Sequence, residues 1–254
     1  MEIEHPRPCG YLEEKKMDVP EGDETVPLHI PPFSRSCQAA VEGMWEQAST
    51  HPFVEALVDG SLDSDRFRFY QMQDARYLEA FADACSLISV RCHDPDQKLW
   101  FIDGARLAIV VEQQLHREYG KRLGYTAQDI ASLELTPNCA AYRNHMIASA
   151  QTGSLLVALA ALAPCPWLYT DIGQRLGTTV SGLPASHPYR DWLLTYSDPG
   201  FVTYTNELLQ WLEDAAKGAS AAELGHAVSA FRASVRYEWM FWEQAWTKQA
   251  WPVA

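Results

Sequence analysis

Two acidic residues lie where helical periodicity predicts apolar ones. In the predicted helix 64–92, Asp74 shares a face with residues spaced three and four positions apart, among them Tyr77. In the last predicted helix, 220–249, Glu238 interrupts a similar apolar row. A buried carboxyl group must be paired, hydrogen-bonded or protonated, and an apolar site raises its pKa toward values suited to general acid catalysis. An inward ion pair or an exposed helix face is the alternative explanation for each acid.

A cysteine between two prolines is the third unusual feature. Pro164 interrupts an apolar helical pattern and Pro166 suits the first turn of a new helix, which places Cys165 at a helix N-terminus. Free backbone N–H groups and the helix dipole there stabilise a thiolate, so we expect a lowered thiol pKa and a nucleophilic sulfur. A buried structural cysteine is the alternative. One nucleophile, two acids and several tyrosines suit a flat, basic heterocycle, because aromatic rings stack on it and acids bind its ring nitrogens.

The spacing of apolar residues predicts that helices carry these groups. Beyond residue 33, apolar residues recur at three- and four-residue intervals, and no hairpin signal is present. The predicted helices are 34–50, 64–92, 96–123, 127–132, 137–151, 154–163, 166–177, 186–196, 199–217 and 220–249. We therefore expect an all-α, multi-helix bundle in one domain, 33–254, preceded by a proline-rich extended arm over residues 1–32.

Length and charge limit what such a bundle can bind. The chain has 254 residues, enough for one large domain, with 33 acidic against 20 basic residues and a formal net charge of -13. This field repels phosphate backbones and anionic lipid headgroups, so we expect no nucleic acid and no membrane as partner. The N-terminus lacks the apolar core of a signal peptide, which favours a cytoplasmic location. The six cysteines show no zinc-like spacing, and we expect them to be thiols.

Six ordered blocks of sequence resemble the TenA (thiaminase II) family, and the resemblance extends from Phe33 to Trp251. The blocks are FVEALVDGSL at 53–62, FRFYQMQDARYLEAFADACSL at 67–87, TPNCAAYRNHM at 136–146, LAALAPCPWLYTDIGQRL at 159–176, DWLLTYSD at 191–198 and VRYEWMFWEQAW at 235–246. The resemblance implies the all-helical haem-oxygenase-like fold and a homotetramer. It does not cover residues 1–32.

The resemblance also implies a role for each unusual residue. Cys165 matches the family's nucleophile, which places the chain in the cysteine-containing branch, and Asp74 and Glu238 match its two pyrimidine-binding acids. The family's pocket tyrosines correspond to Tyr77, Tyr142, Tyr169 and Tyr196. Cys165 and Glu238 are thus the expected catalytic residues, and the other five residues are expected to bind a small pyrimidine substrate.

Members of this family hydrolyse thiamin or, more efficiently, 4-amino-5-aminomethyl-2-methylpyrimidine, and they return the hydroxymethyl pyrimidine for thiamin salvage. By analogy, the Cys165 thiolate adds to C6 of the ring while Glu238 donates to a ring nitrogen, and the C5 methylene then expels ammonia or thiazole. The resemblance implies no metal and no organic cofactor. Because the recognised residues converge on the pyrimidine, we expect the aminomethyl pyrimidine to be preferred over thiamin and thiamin diphosphate to react hardly at all.

Two other functions remain open at this point. A helical di-iron oxidase would use Glu and His on facing helices, and the sequence offers one ExxH pair, Glu223 with His226, and one i,i+4 pair, Glu112 with His116. A ferritin-like site needs ExxH on two helices, so structural or surface pairing explains these residues better. A non-catalytic pyrimidine-binding or regulatory protein is the other alternative, and the presence of Cys165 argues against it.

Overall fold

The computed structural model describes residues 26–253, without the side chains of residues 111–118 and 178. Within this range the chain forms twelve α-helices and no β-strand. The helices are α1 (Pro32–Ala39), α2 (Glu42–Ser49), α3 (Pro52–Asp59), α4 (Ser64–Ser89), α5 (Pro95–Leu123), α6 (Ala127–Ala131), α7 (Pro137–Thr152), α8 (Leu155–Leu162), α9 (Pro164–Ser181), α10 (Arg190–Thr195), α11 (Pro199–Ala216) and α12 (Ala221–Thr247). The predicted all-α class is confirmed.

Side-chain caps explain where the long helices begin and end. Asp63 precedes α4 and accepts hydrogen bonds from the backbone N–H groups of the first turn, so it is the N-cap of this helix. Asp94 caps α5 in the same way. At its other end α5 stops at Gly124, whose φ of 70° is left-handed and favours glycine.

The region before α4 differs from the prediction of a single helix over residues 34–50. This stretch forms two helices, α1 and α2, because Val41 leaves helical geometry with φ -134° while its side chain packs into the core. A third helix, α3, follows where a loop was expected. Its N-cap is His51, whose Nδ1 accepts a hydrogen bond from the Phe53 N–H, and Pro52 occupies its first turn.

The Pro-Cys-Pro segment does not separate two helices as sharply as its prolines suggest. Ala163, between α8 and α9, keeps helical dihedrals (φ -58°, ψ -35°). The backbone therefore stays helical from α8 into α9, which begins at Pro164. Cys165 is therefore the second residue of α9, inside the first turn. The stretch Leu155–Gly177 is long and apolar enough to span a membrane, but most of it is buried among the other helices, as expected of a core helix.

Three helix pairs form the centre of the bundle. Helix α4 packs along α5 on one side and α7 on the other, and α12 packs along α8. The fully buried side chains of these helices include large aromatic residues such as Trp242 of α12 and Phe67 of α4. Asp74 and Glu238, on α4 and α12, face this aromatic core and are 8% and 2% exposed. The prediction that both acids point inward is confirmed.

The segment before α1 is extended, and its backbone is hydrogen-bonded to side-chain amides of the bundle. The Asn206 amide of α11 accepts from the His29 N–H (2.7 Å) and donates to the Pro27 carbonyl (3.0 Å). Gln174 of α9 donates to the Val26 carbonyl (3.2 Å). This part of the predicted arm therefore lies against α9 and α11, whereas residues 1–25 lie outside the described part of the chain.

Candidate active site

A cavity of about 560 Å³ opens between α4, α5, α9, α10 and α11. Five of the seven predicted site residues line it, namely Asp74, Tyr77, Cys165, Tyr169 and Tyr196. They come from α4, from the first two turns of α9 and from the end of α10. The spacing of three residues between Asp74 and Tyr77 places both on the same side of α4. The cavity thus joins the predicted nucleophile, one predicted acid and three tyrosines.

The remaining two predicted site residues form a buried pair next to the cavity wall. Tyr142 Oη donates a hydrogen bond of 2.5 Å to Glu238 Oε1, and both residues are almost fully buried. Tyr142 also packs against Tyr77, with ring centroids 4.9 Å apart. This contact connects the pair to the cavity. Tyr142 was predicted to touch the substrate, whereas the structure places it behind Tyr77 as the partner of the acid.

Burial sets the protonation state of Glu238. Loss of hydration raises the pKa of this carboxyl group to about 8, with the nearby charge of Asp74 adding to the rise and the Tyr142 hydrogen bond opposing it. Glu238 therefore carries its proton at neutral pH and can donate it to a weakly basic ring nitrogen. The expectation of a general acid held in an apolar site agrees with this pKa.

The same burial acts against the thiolate predicted at position 165. Loss of hydration and the charge of Glu238 raise the pKa of the Cys165 thiol well above its ordinary value, and the nearby Tyr77 hydroxyl only partly opposes them. The predicted lowering of this pKa is thus wrong. The prediction assumed a free helix N-terminus at Cys165, but α8 continues into α9 and leaves none there. The thiol is also buried beside an acid, which raises its pKa. The sulfur itself is reached from the cavity.

Tyr77 stands between the thiol and the acid pair. Its hydroxyl makes no hydrogen bond of standard geometry with the described residues, yet it is near enough to the Cys165 sulfur to lower the pKa of the thiol. It likewise lowers the pKa of Tyr142, and burial raises the pKa of both tyrosines well above 10.0. The hydroxyl groups of Tyr77 and Tyr142 thus lie in order between Cys165 and Glu238, and we call them the hydroxyl path; its Tyr142–Glu238 link is a formed hydrogen bond.

Further aromatic residues complete the reacting end of the cavity. Tyr70 Oη lies 2.9 Å from Tyr169 Oη in a buried hydrogen bond. Trp192 lines the cavity and packs against Tyr196, with ring centroids 4.7 Å apart. Neither Tyr70 nor Trp192 was assigned a role from the sequence. Tyr70 was detectable, because it lies one helical turn before Asp74 on the same face, but Trp192 depends on how α10 packs against α9.

The cavity is larger than the predicted residues account for. The side formed by α5, α11 and the middle of α4 is mostly apolar, and we call it the annex. It is lined by Phe81, Gly104, Leu107, Ala108, Phe201 and Tyr204. Nothing in the sequence pattern pointed to these residues, because on their own helices they are ordinary apolar positions.

The described side chains offer no group of three or more His, Cys, Asp or Glu placed to hold a metal ion. Glu223 and His226 lie at the start of α12, away from the residues lining the cavity, and His226 is exposed. The side chains of Glu112 and His116 lie outside the described part of the chain. The described ExxH pair is thus a helix-start feature, with Glu223 in the first turn next to the Ser220 cap.

Comparisons with known proteins agree with this architecture. The chain is 34% identical over 222 residues to the aminopyrimidine aminohydrolase of Halalkalibacterium halodurans, a match that covers 86% of this chain and 97% of that protein. It is 31% identical over 219 residues to the aminopyrimidine aminohydrolase of Bacillus subtilis, covering 86% of this chain and 92% of that protein.

Solved structures show the same fold. A TenA homologue from P. horikoshii OT3 superimposes with a TM-score of 0.77 at 27% identity, covering 85% of this chain and 98% of that one. A domain with a haem-oxygenase-like fold from Shewanella denitrificans matches with a TM-score of 0.68 at 13% identity, covering 87% and 94% of the two chains. The predicted haem-oxygenase-like class is confirmed. A model of the TENA/THI-4/PQQC family matches residues 38–248, so the chain is a member of that family.

Proposed function

We propose that this protein hydrolyses 4-amino-5-aminomethyl-2-methylpyrimidine to the hydroxymethyl pyrimidine and ammonia for thiamin salvage, with thiamin as a second substrate. The observation that carries the proposal is the cavity in which Cys165 lies beside Asp74, with the buried Glu238 next to its wall. The relatives named aminopyrimidine aminohydrolase, matched over most of their length, support the same substrate class.

The three polar groups divide the recognition of the pyrimidine between them. Asp74, on the cavity wall, is suited to bind the amidine edge, where a ring nitrogen and the 4-amino group lie side by side. Glu238 donates its proton to a ring nitrogen, which makes the ring an electron sink. The Cys165 sulfur then adds to C6, and the aromatic walls hold the ring in the plane that this addition requires.

The buried thiol must lose its proton during the addition, and the hydroxyl path provides a route. We propose that the Cys165 proton passes to Tyr77, that Tyr77 passes a proton to Tyr142, and that Tyr142 returns one to Glu238. Glu238 meanwhile gives its own proton to the ring nitrogen. The net result moves one proton from sulfur to nitrogen and leaves no isolated charge in the apolar interior, where such a charge is costly.

The second half of the reaction reverses these steps. Electrons from the adduct expel the protonated amine from the C5 methylene as ammonia, and water adds to the exocyclic carbon and loses a proton to form the alcohol. The sulfur leaves C6 as the ring regains its aromatic character, and the proton returns along the same path. One water molecule is consumed, and one C–N bond is exchanged for a C–O bond.

Ammonia release from the purified protein tests this function directly. We expect Cys165→Ser to fold and to keep its affinity for the hydroxymethyl product, because the ring contacts remain, while turnover falls by more than about a hundredfold, because a serine hydroxyl is far less acidic than a thiol. A matched control is Cys139→Ser, which changes a buried cysteine on α7 that does not line the cavity. A Cys165→Ser variant that retains more than about a tenth of kcat excludes the sulfur as nucleophile.

A further inference from the structure

The proposed reaction needs groups from three different helices to keep one spatial order. Tyr142 belongs to α7, Glu238 to α12, and Cys165 to the first turn of α9, which continues the helical backbone of α8. Helices α7, α8 and α12 pack on one another in pairs. A displacement of about 1 Å at a reacting group can cost about a hundredfold in rate, so the contacts that fix these helices matter to the chemistry.

A buried serine joins all three helices close to the reacting groups. Ser234 of α12 is fully buried, and its hydroxyl donates a hydrogen bond of 2.7 Å to the Ala161 carbonyl of α8. The serine oxygen also lies 3.0 Å from Nε2 of His145 on α7. We call the Ser234 hydroxyl, the His145 ring and the Ala161 carbonyl the interhelical clamp.

The carbonyl fixes the direction of both hydrogen bonds in the clamp. Because a carbonyl can only accept, the Ser234 proton points to Ala161, and the serine oxygen accepts from His145. The His145 ring therefore carries a proton on Nε2, which also lies 3.3 Å from the Ala230 carbonyl. Burial lowers the pKa of His145, with the Ala230 carbonyl opposing the shift, so the ring is neutral at neutral pH. The clamp thus buries no charge, which suits an apolar interior.

Each member of the clamp lies one helical turn from a reacting group. The pairs, each three or four residues apart, are His145 with Tyr142, Ser234 with Glu238, and Ala161 with Cys165. Residues at these spacings share one face of a helix, so the clamp forms a layer next to the reacting groups. The Tyr237 ring of α12 contacts both layers, with its centroid 5.3 Å from that of Tyr142 and 5.6 Å from that of His145.

We propose that Ser234 and His145 are positioning residues for the hydrolysis, because the clamp holds the three helices in the register that places the hydroxyl path between Cys165 and Glu238. This inference rests on the proposed function. Neither Ser234 nor His145 lines the cavity, so neither contacts the pyrimidine bound there. The clamp therefore acts on kcat, through the spacing of the reacting groups, and hardly on the affinity for the ring.

Ammonia release by Ser234→Ala and His145→Leu tests this role. Each variant breaks the link between α7 and α12, and we expect kcat to fall about tenfold to a hundredfold while KM for the aminomethyl pyrimidine stays within about threefold. The double variant should lose no more than the larger single effect, since both residues hold the same junction. His145→Gln carries an amide N–H near the position of Nε2 and should keep kcat within about threefold of the wild type.

A buried serine on another helix provides the matched control. Ser49 of α2 is buried, and its hydroxyl donates to the Trp45 carbonyl of the same helix, so Ser49→Ala removes a hydrogen bond within one helix. All variants are assayed at a temperature at which thermal unfolding shows them to be folded. A kcat within about threefold of the wild type in both Ser234→Ala and His145→Leu, or an equal fall in Ser49→Ala, overturns the positioning role.

A spectroscopic measurement separates this inference from the proposed function. Below its pKa of about 8, the Glu238 carboxyl group is protonated, and its C=O stretching band reports the hydrogen bond from Tyr142. Infrared difference spectroscopy identifies the band by its absence in Glu238→Gln. In Ser234→Ala we expect the band to move to higher frequency, as in Tyr142→Phe, because a carbonyl that loses a donor has a stiffer bond.

A band that keeps its wild-type frequency in Ser234→Ala overturns the positioning role, whatever the kinetics show. If the wild-type protein releases no ammonia from the aminomethyl pyrimidine, the proposed function fails. In that case the infrared band alone decides whether the clamp positions Tyr142 against Glu238.

Discussion

At the scale of single residues, the chemistry depends on how two ionisable groups are buried together. Glu238 and Cys165 each lie in a site that favours their neutral form, because burial raises the pKa of both and the charge of Glu238 adds to the rise at Cys165. A nucleophile and an acid that are both protonated at rest can react only if a proton moves between them. The hydroxyl path from Tyr77 to Tyr142 is therefore as necessary to the proposed reaction as the sulfur.

The pKa of Glu238 makes the stability of the protein depend on pH in a defined direction. Its pKa is about 8 in the folded protein, against an ordinary value of 4.5 in the unfolded chain. The contribution of Glu238 to folding stability is therefore fully present below pH 4.5 and is lost as the pH rises to 8. We expect the free energy of unfolding of Glu238→Gln to depend less on pH. Relative to the wild type, it should rise by up to about 4 kcal/mol between about pH 5 and pH 9.

Urea unfolding at about pH 5, 7 and 9 measures this difference. Glutamine keeps an acceptor for the Tyr142 hydroxyl, so packing is preserved. A stability difference between variant and wild type that is the same at all three values contradicts the assignment of a raised pKa to Glu238.

Tyr142→Phe tests the proton path. The hydrogen bond from Tyr142 lowers the pKa of Glu238, so its removal should raise that pKa further and move the loss of activity at alkaline pH to higher values. We also expect kcat to fall about tenfold to a hundredfold, because the return route to Glu238 is broken. The measurement is the pH dependence of kcat and kcat/KM.

The matched control for this variant is Tyr237→Phe. The Tyr237 ring stacks on Tyr142 at 5.3 Å between centroids, and its hydroxyl takes no part in the path. The alkaline limb of the pH profile of activity is the deciding feature. If it does not shift in Tyr142→Phe, or shifts equally in both variants, the hydrogen bond to Glu238 has no role in proton transfer.

The sequence identified these residues by type and face, but not their protonation. Asp74 and Glu238 were visible because an acid on an apolar helical face is rare, and both point inward as expected. The pKa of Cys165 was misjudged, because it depends on long-range neighbours and on whether α8 ends before the prolines. Neither is a property of local sequence, since Ala163 keeps helical geometry despite the proline that follows it.

At the scale of elements, one close helix contact fixes the position of a cavity tyrosine. Gly173 of α9 lies against the backbone of Tyr196 and Ser197, so closely that an added Cβ would come within 3.0 Å of both residues. Only glycine fits there, because the atoms it meets belong to the main chain and cannot rotate away. The contact thus holds the end of α10 against the helix that carries Cys165.

Gly173→Ala should therefore displace Tyr196 from the cavity. We expect a loss of stability of about 1–3 kcal/mol, typical of overpacking, and a several-fold increase in KM for the aminomethyl pyrimidine with a smaller change in kcat. Gly177→Ala, one turn further along α9, meets no atom of the described residues within 4 Å and is the control. If both variants behave alike in thermal unfolding and in KM, the close contact does not position the tyrosine.

The long elements were predictable, whereas the short ones and the packing were not. Helices α4, α5 and α12 have extended periodicity and strong capping residues, and their predicted ranges lie within a few residues of the observed ones. Helix α3 was missed because eight residues give too short a pattern, and its cap is a histidine. The annex arises only where α5 and α11 face each other, and no single segment encodes such a junction.

At the scale of the whole molecule, charge adds to the selectivity of the cavity. The formal net charge of -13 and two exposed acids that line the cavity, Asp191 at the start of α10 and Asp198 at the start of α11, both oppose an anionic ligand. We expect kcat/KM for thiamin diphosphate to be at least about a hundredfold lower than for thiamin. Because salt screens exposed charges, the ratio of kcat/KM for thiamin to that for thiamin diphosphate should decrease as ionic strength rises from about 0.01 M to 0.5 M.

Side-by-side kinetics of thiamin and thiamin diphosphate on the purified protein decide this point. Equal kcat/KM values at low salt, or a ratio that salt leaves unchanged, would show that charge does not select the substrate. In the second case, the size of the diphosphate would be the remaining cause of its slow reaction.

The dense aromatic packing around the reacting end also provides an intrinsic tryptophan fluorescence signal for ligand binding. Trp192 lines the cavity, and the Trp242 ring centroid lies 5.0 Å from that of Tyr169 on the other side of the wall. Indole emission responds to a polar or stacking group placed beside it, so a pyrimidine that enters the cavity changes the fluorescence of Trp192. Ligand affinity and the rate of ring docking can thus be followed without a label, and Trp192→Phe identifies the reporting residue.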